Sequence, residues 1–185
     1  IHLSIETFLN LLTLTVSIMS KSKEMQLLEL FFNEPTKHWK FMDLKTAVPI
    51  ADNKLSAWLK RFVNDKLIRR IQPKSKMPYY LSLYESVNYQ NKKRLFAMQK
   101  FYESGFLNHL ASLDAATIII FGSFARSDWH GSSDIDLFIY GDDMNFEKGK
   151  YERILGREIQ LFAAKTKQDL NRMGTKLIKN ILVGD

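Results

Sequence analysis

The chain has 185 residues, of which 45% are hydrophobic and 25% charged, with 8 Gly, 4 Pro and no cysteine. Disulfides and a Cys-based zinc site are excluded, and the length suits one ordinary domain or two small ones. A cytoplasmic setting is expected from the cysteine-free composition.

The formal net charge of +7 is unevenly spread, since residues 21–83 hold 13 Lys and Arg against 6 Asp and Glu, and residues 113–185 hold 10 against 11. A basic first half reads either as a surface for a polyanion or as a solvated face that confers solubility.

Residues 1–20 form an N-terminal extension without a basic leader. Ile5, Leu9, Leu12, Val16 and Met19 recur at helical spacing. Two readings fit: an added amphipathic helix, or upstream sequence before a native start at Met19. Polar residues interrupt the stretch too often for a membrane span, so no membrane association is expected.

From Lys23 to Phe32 the apolar density predicts a helix that ends near Asn33-Glu34-Pro35. Phe41, Leu44 and Val48 predict a short second helix closed by Pro49. A third follows with Asp52 as its cap and Leu55, Trp58, Leu59 and Phe62 as its buried side. Residues 67–72 and 79–83 then read as two strands around the basic turn Pro73-Lys74-Ser75-Lys76.

Three helices followed by a hairpin resemble a winged helix-turn-helix, over residues 21–84. That resemblance implies a third helix entering the major groove and a wing touching phosphate. Lys54, Lys60 and Arg61 on the third helix, with Lys74 and Lys76 at the wing tip, are the corresponding nucleic-acid-binding candidates. Such domains also mediate protein contacts, so DNA and protein both stand as partners.

Residues 85–113 are expected to be a linking region, with a single long helix over 86–112. Residues 114–185 change character. Thr117 to Phe121 is a β-branched run of the kind that forms a buried strand, Asp136 to Tyr140 predicts a second strand and Glu158 to Ala163 a third. A helix is expected near 146–155, and another from Thr166 to Leu182, capped by Thr166 and broken at Gly174.

Phe121-Gly122-Ser123-Phe124-Ala125-Arg126 follows the first of these strands, and Asp134-Ile135-Asp136 opens the second. Carboxylates at i and i+2 of a strand share a face and can share a hard divalent cation. Gly122 permits close backbone approach to a phosphate, and Ser123 adds a hydroxyl and an N–H at a helix start.

Strand, Gly-Ser, ten residues, then Asp-x-Asp at the next strand closely resembles the DNA polymerase β-like superfamily, in particular its minimal nucleotidyltransferases. The fold expected is therefore α+β: a winged helix-turn-helix, a long linking helix, and a nucleotidyltransferase fold with a small mixed sheet flanked by helices. The resemblance implies Gly122 and Ser123 on the nucleotide phosphates and Asp134 and Asp136 as metal ligands and catalytic residues. It further implies Mg²⁺, two ions in an active enzyme, and an NTP, with ATP the first choice. Such enzymes move a nucleoside monophosphate onto a hydroxyl and release pyrophosphate; small members modify proteins or small molecules.

Arg126 could neutralise phosphate or pair with Asp128 or Asp134. The sequence departs from the family pattern at Ser127, where Gly is usual, and at Gln160, where the third carboxylate is expected. Glu158, two residues earlier, either supplies that carboxylate as a catalytic residue or is a solvated edge residue. Two functions follow: a Mg²⁺-dependent nucleotidyltransferase with a recruiting winged helix, or a DNA-binding, antitoxin-like regulator with an impaired, nucleotide-binding transferase fold. Neither acceptor nor oligomeric state is specified, and a homodimer is left open.

Overall fold

A computed structural model describes residues 22–184. The readings made for residues 1–20 lie outside them. The chain divides into two compact units, at residues 90 and 91.

In the first unit, helix α1 (Lys23–Asn33) starts at Ser22, whose hydroxyl accepts from the Met25 N–H. Its Met25, Leu27, Leu28, Phe31 and Phe32 are buried. A two-residue strand β1 (Trp39–Lys40) precedes α2 (Phe41–Ala47) and α3 (Asp52–Asn64). Strands β2 (Ile68–Ile71) and β3 (Tyr79–Ser82) form the expected hairpin. β1 pairs with β3 to give an antiparallel sheet ordered β1-β3-β2. That third strand was not expected, because two residues carry no alternation for a pattern to show.

Two other details differ from expectation. Ala51, not Asp52, caps α3, and Asp52 sits in the first turn, where its charge favours the helix dipole. Leu55, Leu59 and Phe62 are buried, but Trp58 is only half-buried. The core closes on the Phe31 carbonyl, which accepts from Ser82 Oγ at 2.8 Å and from Tyr89 Oη at 2.9 Å. Burial pushes the Tyr89 phenol up to about 12, so it stays a donor at any ordinary pH.

Residues 86–112 do not form one helix. They form α4 (Val87–Glu103) and α5 (Phe106–Ala111), separated at Ser104-Gly105. Gly105 adopts φ 74°, a conformation that glycine takes without the Cβ penalty, and the helix ends there.

In the second unit, strands β4 (Ala115–Phe121), β5 (Ile135–Gly141) and β6 (Ile159–Ala164) form a mixed sheet in that order. β4 runs antiparallel to β5, and β5 parallel to β6. A one-turn helix α6 (Gly122–Arg126) follows β4, and α7 (Lys148–Leu155) crosses between β5 and β6. Helices α8 (Lys167–Arg172) and α9 (Thr175–Val183) follow, Thr166 capping α8 in a reciprocal box with Asp169 and Gly174 preceding α9.

Alternation along the strands sorts the two faces. Phe121, Phe138, Ala164 and Ile181 form a buried cluster with Leu170, Met173 and Leu177 packed on it. Leu137 and Ile139 lie on the opposite parity and are fully buried. The result is a mixed α+β chain with two small sheets flanked by helices. Among the described residues no helix is long and apolar enough to cross a membrane.

Candidate active site

The two aspartates come to the sheet in different ways. Asp136 is in the central strand, opposite Phe121 of β4 and Gln160 of β6. Asp134 lies one residue ahead of β5, outside both ladders. Gln160 Nε2 donates to Asp134 Oδ2 at 2.9 Å. The expected position of the third carboxylate is thus filled by an amide that reaches the first aspartate.

Gly122 sits directly against Asp136. It adopts φ +67°, and a Cβ built there would fall 2.1 Å from Asp136 Oδ2 and 2.9 Å from Cγ. Only a residue lacking Cβ allows both that backbone and this approach. Burial, and next the neighbouring Asp134 carboxylate, push the Asp136 carboxyl above its ordinary value, while Arg126 pulls it down. The pair is therefore a site of crowded negative charge that a cation would relieve.

Ser123 is half-buried in α6, and its carbonyl accepts from Asp128 N at 3.1 Å. Arg126 Nε donates to Asp128 Oδ2 at 2.9 Å, with both side chains largely exposed. Of the roles considered for Arg126, the structure shows the Asp128 pair, together with its electrostatic influence on Asp136. Ser127, where Gly was expected, is buried and left-handed at φ 65°. That conformation explains why glycine suits the position. Here the serine is held by Arg94 Nε, which donates to its hydroxyl at 3.1 Å.

Glu158 is exposed, just ahead of β6, in a shallow groove with Lys148, Glu152, Arg153 and Arg157. Among the described residues no group of three or more His, Cys, Asp or Glu is placed to hold a metal ion; the Glu158 carbonyl accepts from the N–H of Ile135, the residue between the two aspartates, at 2.9 Å. The donors that converge are two carboxylates and one amide. Two ionised carboxylates suit a single hard divalent cation, with water and phosphate oxygens completing its shell. Gln160 can offer a neutral oxygen but no balancing charge. The donor set fits one ion.

Three further residues were not singled out in the sequence. Trp129 stacks on Phe124 at 5.3 Å between centroids, with planes 5° apart. Lys93, 2% exposed, lies 4.6 Å from the Trp129 ring centroid; burial draws its ammonium down to about 8, against the pull of Asp128. Arg157 spans the same aromatic pair and the loop before Asp134. An isolated Trp or Arg between elements, or a single Lys within α4, carries no pattern, and only the tertiary contacts reveal them. Asp142 pairs with Lys165 at 2.7 Å. His130 is exposed, its ring Nδ1 3.1 Å from Ser132 Oγ.

The basic candidates of the first unit, Lys54, Lys60, Lys74 and Lys76, are all exposed. Arg61 is exposed as well but ion-paired with Glu24. Lys60 and Arg70 rim a hollow of about 220 Å³ beside α3, walled by Leu59 and Tyr80.

No curated protein and no solved structure gives a significant match to this chain. Residues 104–180 match the family model described as a nucleotidyltransferase domain, which begins at the break between α4 and α5 and supports the nucleotidyltransferase superfamily for this part of the chain.

Proposed function

We propose that this chain transfers a nucleoside monophosphate from an NTP, ATP first, to an acceptor hydroxyl, with Mg²⁺ held by Asp134 and Asp136. One observation carries the reading. Gly122 closes onto Asp136 with no room for a Cβ, so the backbone of the Gly-Ser turn and the carboxylates form one small site. In that arrangement the Gly122-Ser123 backbone and the Ser123 hydroxyl take the phosphates, and the carboxylates take the cation. When bound, the cation would offset phosphate charge and polarise the bond to the leaving pyrophosphate. Arg126, exposed at the end of α6, adds positive charge nearby.

For the first unit we propose a winged-helix role, recruiting a nucleic-acid or protein acceptor. Its order of helices and strands and the exposure of Lys54, Lys60, Lys74 and Lys76 support this. Arg61 contributes less, because Glu24 already engages it.

A second reading, a DNA-binding regulator whose transferase fold binds nucleotide without turnover, is favoured by one specific contact. Gln160 supplies an amide to Asp134 where a third carboxylate would supply a base and a charge. Labelled NTPs, Mg²⁺ and cell extract, with the Asp134→Ala/Asp136→Ala double variant alongside, separate the two. Label transfer by the unmodified chain alone is expected; nucleotide binding without transfer, together with salt-sensitive DNA binding, selects the regulator. Glu158→Gln is expected to leave transfer unchanged, and a loss would return Glu158 to the site.

A further inference from the structure

Asp134 has a problem that Asp136 does not share. The strand ladders fix Asp136 from both sides, whereas pairing of β5 begins only at Ile135, with Ile159. Where Asp134 sits depends on the loop 127–133 that leads to it. That loop is turned by Ser133 N donating to the His130 carbonyl at 3.0 Å, and by His130 N donating to Ser133 Oγ at 2.9 Å. Its carbonyls of His130, Gly131 and Ser133 converge, and converging carbonyl dipoles repel.

Arg157 resolves that repulsion. Its Nη1 donates to the His130 carbonyl at 2.7 Å, to Ser133 at 2.8 Å and, at longer range, to Gly131 at 3.3 Å. The guanidinium lies 5.0 Å from the Trp129 ring centroid and 5.3 Å from that of Phe124. Phe124 belongs to α6, directly after Ser123, so one side chain touches both segments that build the site. The Arg157 backbone is itself anchored, its N–H donating to the Glu152 carbonyl at 3.2 Å. A planar cation is what this place requires: it donates in its plane and stacks through its face.

We propose that Arg157 is the positioning residue of the site, locking the 130–133 loop against α6 so that Asp134 is held beside Asp136. It touches neither nucleotide nor metal in this role. The inference rests on the reading of Asp134 and Asp136 as cation ligands.

The test uses the full chain with Mn²⁺ and ATP as probes. Binding is measured by calorimetry, and loop order by hydrogen exchange of the amides from 128 to 135. Arg157→Met is expected to weaken Mn²⁺-ATP binding by ~10-fold or more, the range seen when groups behind metal ligands are removed, and to speed exchange in that loop. Arg157→Lys, which can meet the carbonyls but cannot stack, is expected to restore part of both. Ile181→Ala, on the buried side of α9, controls for stability: it is expected to lower the melting temperature while leaving binding intact.

Wild-type affinity in Arg157→Met, or an equal loss in Ile181→Ala, overturns the positioning role. An unmodified chain that binds no Mn²⁺-ATP overturns instead the reading of the site. Unaltered loop exchange in Arg157→Met then removes the loop contact as well.

Discussion

Gly122→Ala is the sharpest single perturbation available. Two costs can be separated on the structure. The first is the left-handed backbone at φ +67°, which costs a residue with a Cβ about 1–2 kcal/mol. The second is the new methyl, placed 2.1 Å from Asp136 Oδ2 and 2.9 Å from Cγ. Because the obstructing atoms end a side chain, the carboxylate rotates away, and the larger penalty falls on ligand geometry. For a unit of this size, the backbone cost of about 1–2 kcal/mol alone lowers the melting temperature by roughly 5–15 °C, and turning the Asp136 carboxylate out of its place adds to that. Mn²⁺-ATP affinity is expected to fall at least ~10-fold, since misplacement of one ligand is enough. Melting by circular dichroism and calorimetric titration read the two effects. In an Asp136→Ala background the oxygen and Cγ are gone and the nearest remaining atom is Cβ at 3.3 Å, so the stability cost of Gly122→Ala should shrink to the backbone part. Equal cost in both backgrounds, or wild-type affinity in the single variant, would refute the close approach as the organising feature of the site.

Lys93→Met should change how stability depends on pH. Burial lowers the folded-state pKa to about 8, below the ordinary lysine value of 10.5, so the unfolded chain binds more protons between those values and stability rises with pH across that window. The charged form costs on the order of 3 kcal/mol, against ~1–2 kcal/mol returned by its contact with Trp129; urea titrations at pH 7 and 10 should show a net gain of about 1 kcal/mol at pH 7 and a lost slope, and an unchanged slope would defeat the assignment. Lys74→Glu/Lys76→Glu should weaken any DNA binding and flatten the salt dependence by roughly two units of slope; a slope equal to wild type removes the hairpin tip from the interface. Gln160→Asp places a third carboxylate opposite Asp136. The chain should melt at lower temperature without divalent ions and gain more from Mn²⁺ than the wild type does; equal Mn²⁺ stabilisation in both would show that position 160 does not face the cation.

The parts legible in the sequence are those governed by short-range pattern. The hairpin, the run Thr117 to Phe121 and the Gly-Ser and Asp-x-Asp pair each declare themselves within a few residues. Thr166 and Gly174 were read correctly because a cap and a break are local chemistry. The break at Gly105 was missed because Phe101, Phe106 and Leu110 keep an apolar rhythm across it, and periodicity does not register one left-handed residue. Strand β1 was missed because β3 creates it. Arg157 and Lys93 lay outside reach for the same reason: their roles are set by partners 24 and 36 positions away, Ser133 and Trp129.

Gln160 shows where pattern and geometry answer different questions. From the pattern alone, an amide at the carboxylate position argues against catalysis, and Glu158 offers a nearby substitute. Gln160 stays on the face of Asp136 and engages Asp134, while Glu158 stands with Lys148 and Arg153 beside α7. A cation at Asp134 would compete for an oxygen already bonded by Gln160, so binding carries the cost of that bond in addition to the usual dehydration. A nucleotide that arrives with its own cation brings phosphate oxygens to replace the missing ligand. Such a site should take Mn²⁺ weakly alone and more tightly with ATP. Titrating Mn²⁺ with and without ATP measures that coupling, and equal affinities in the two titrations would show that the amide imposes no such dependence.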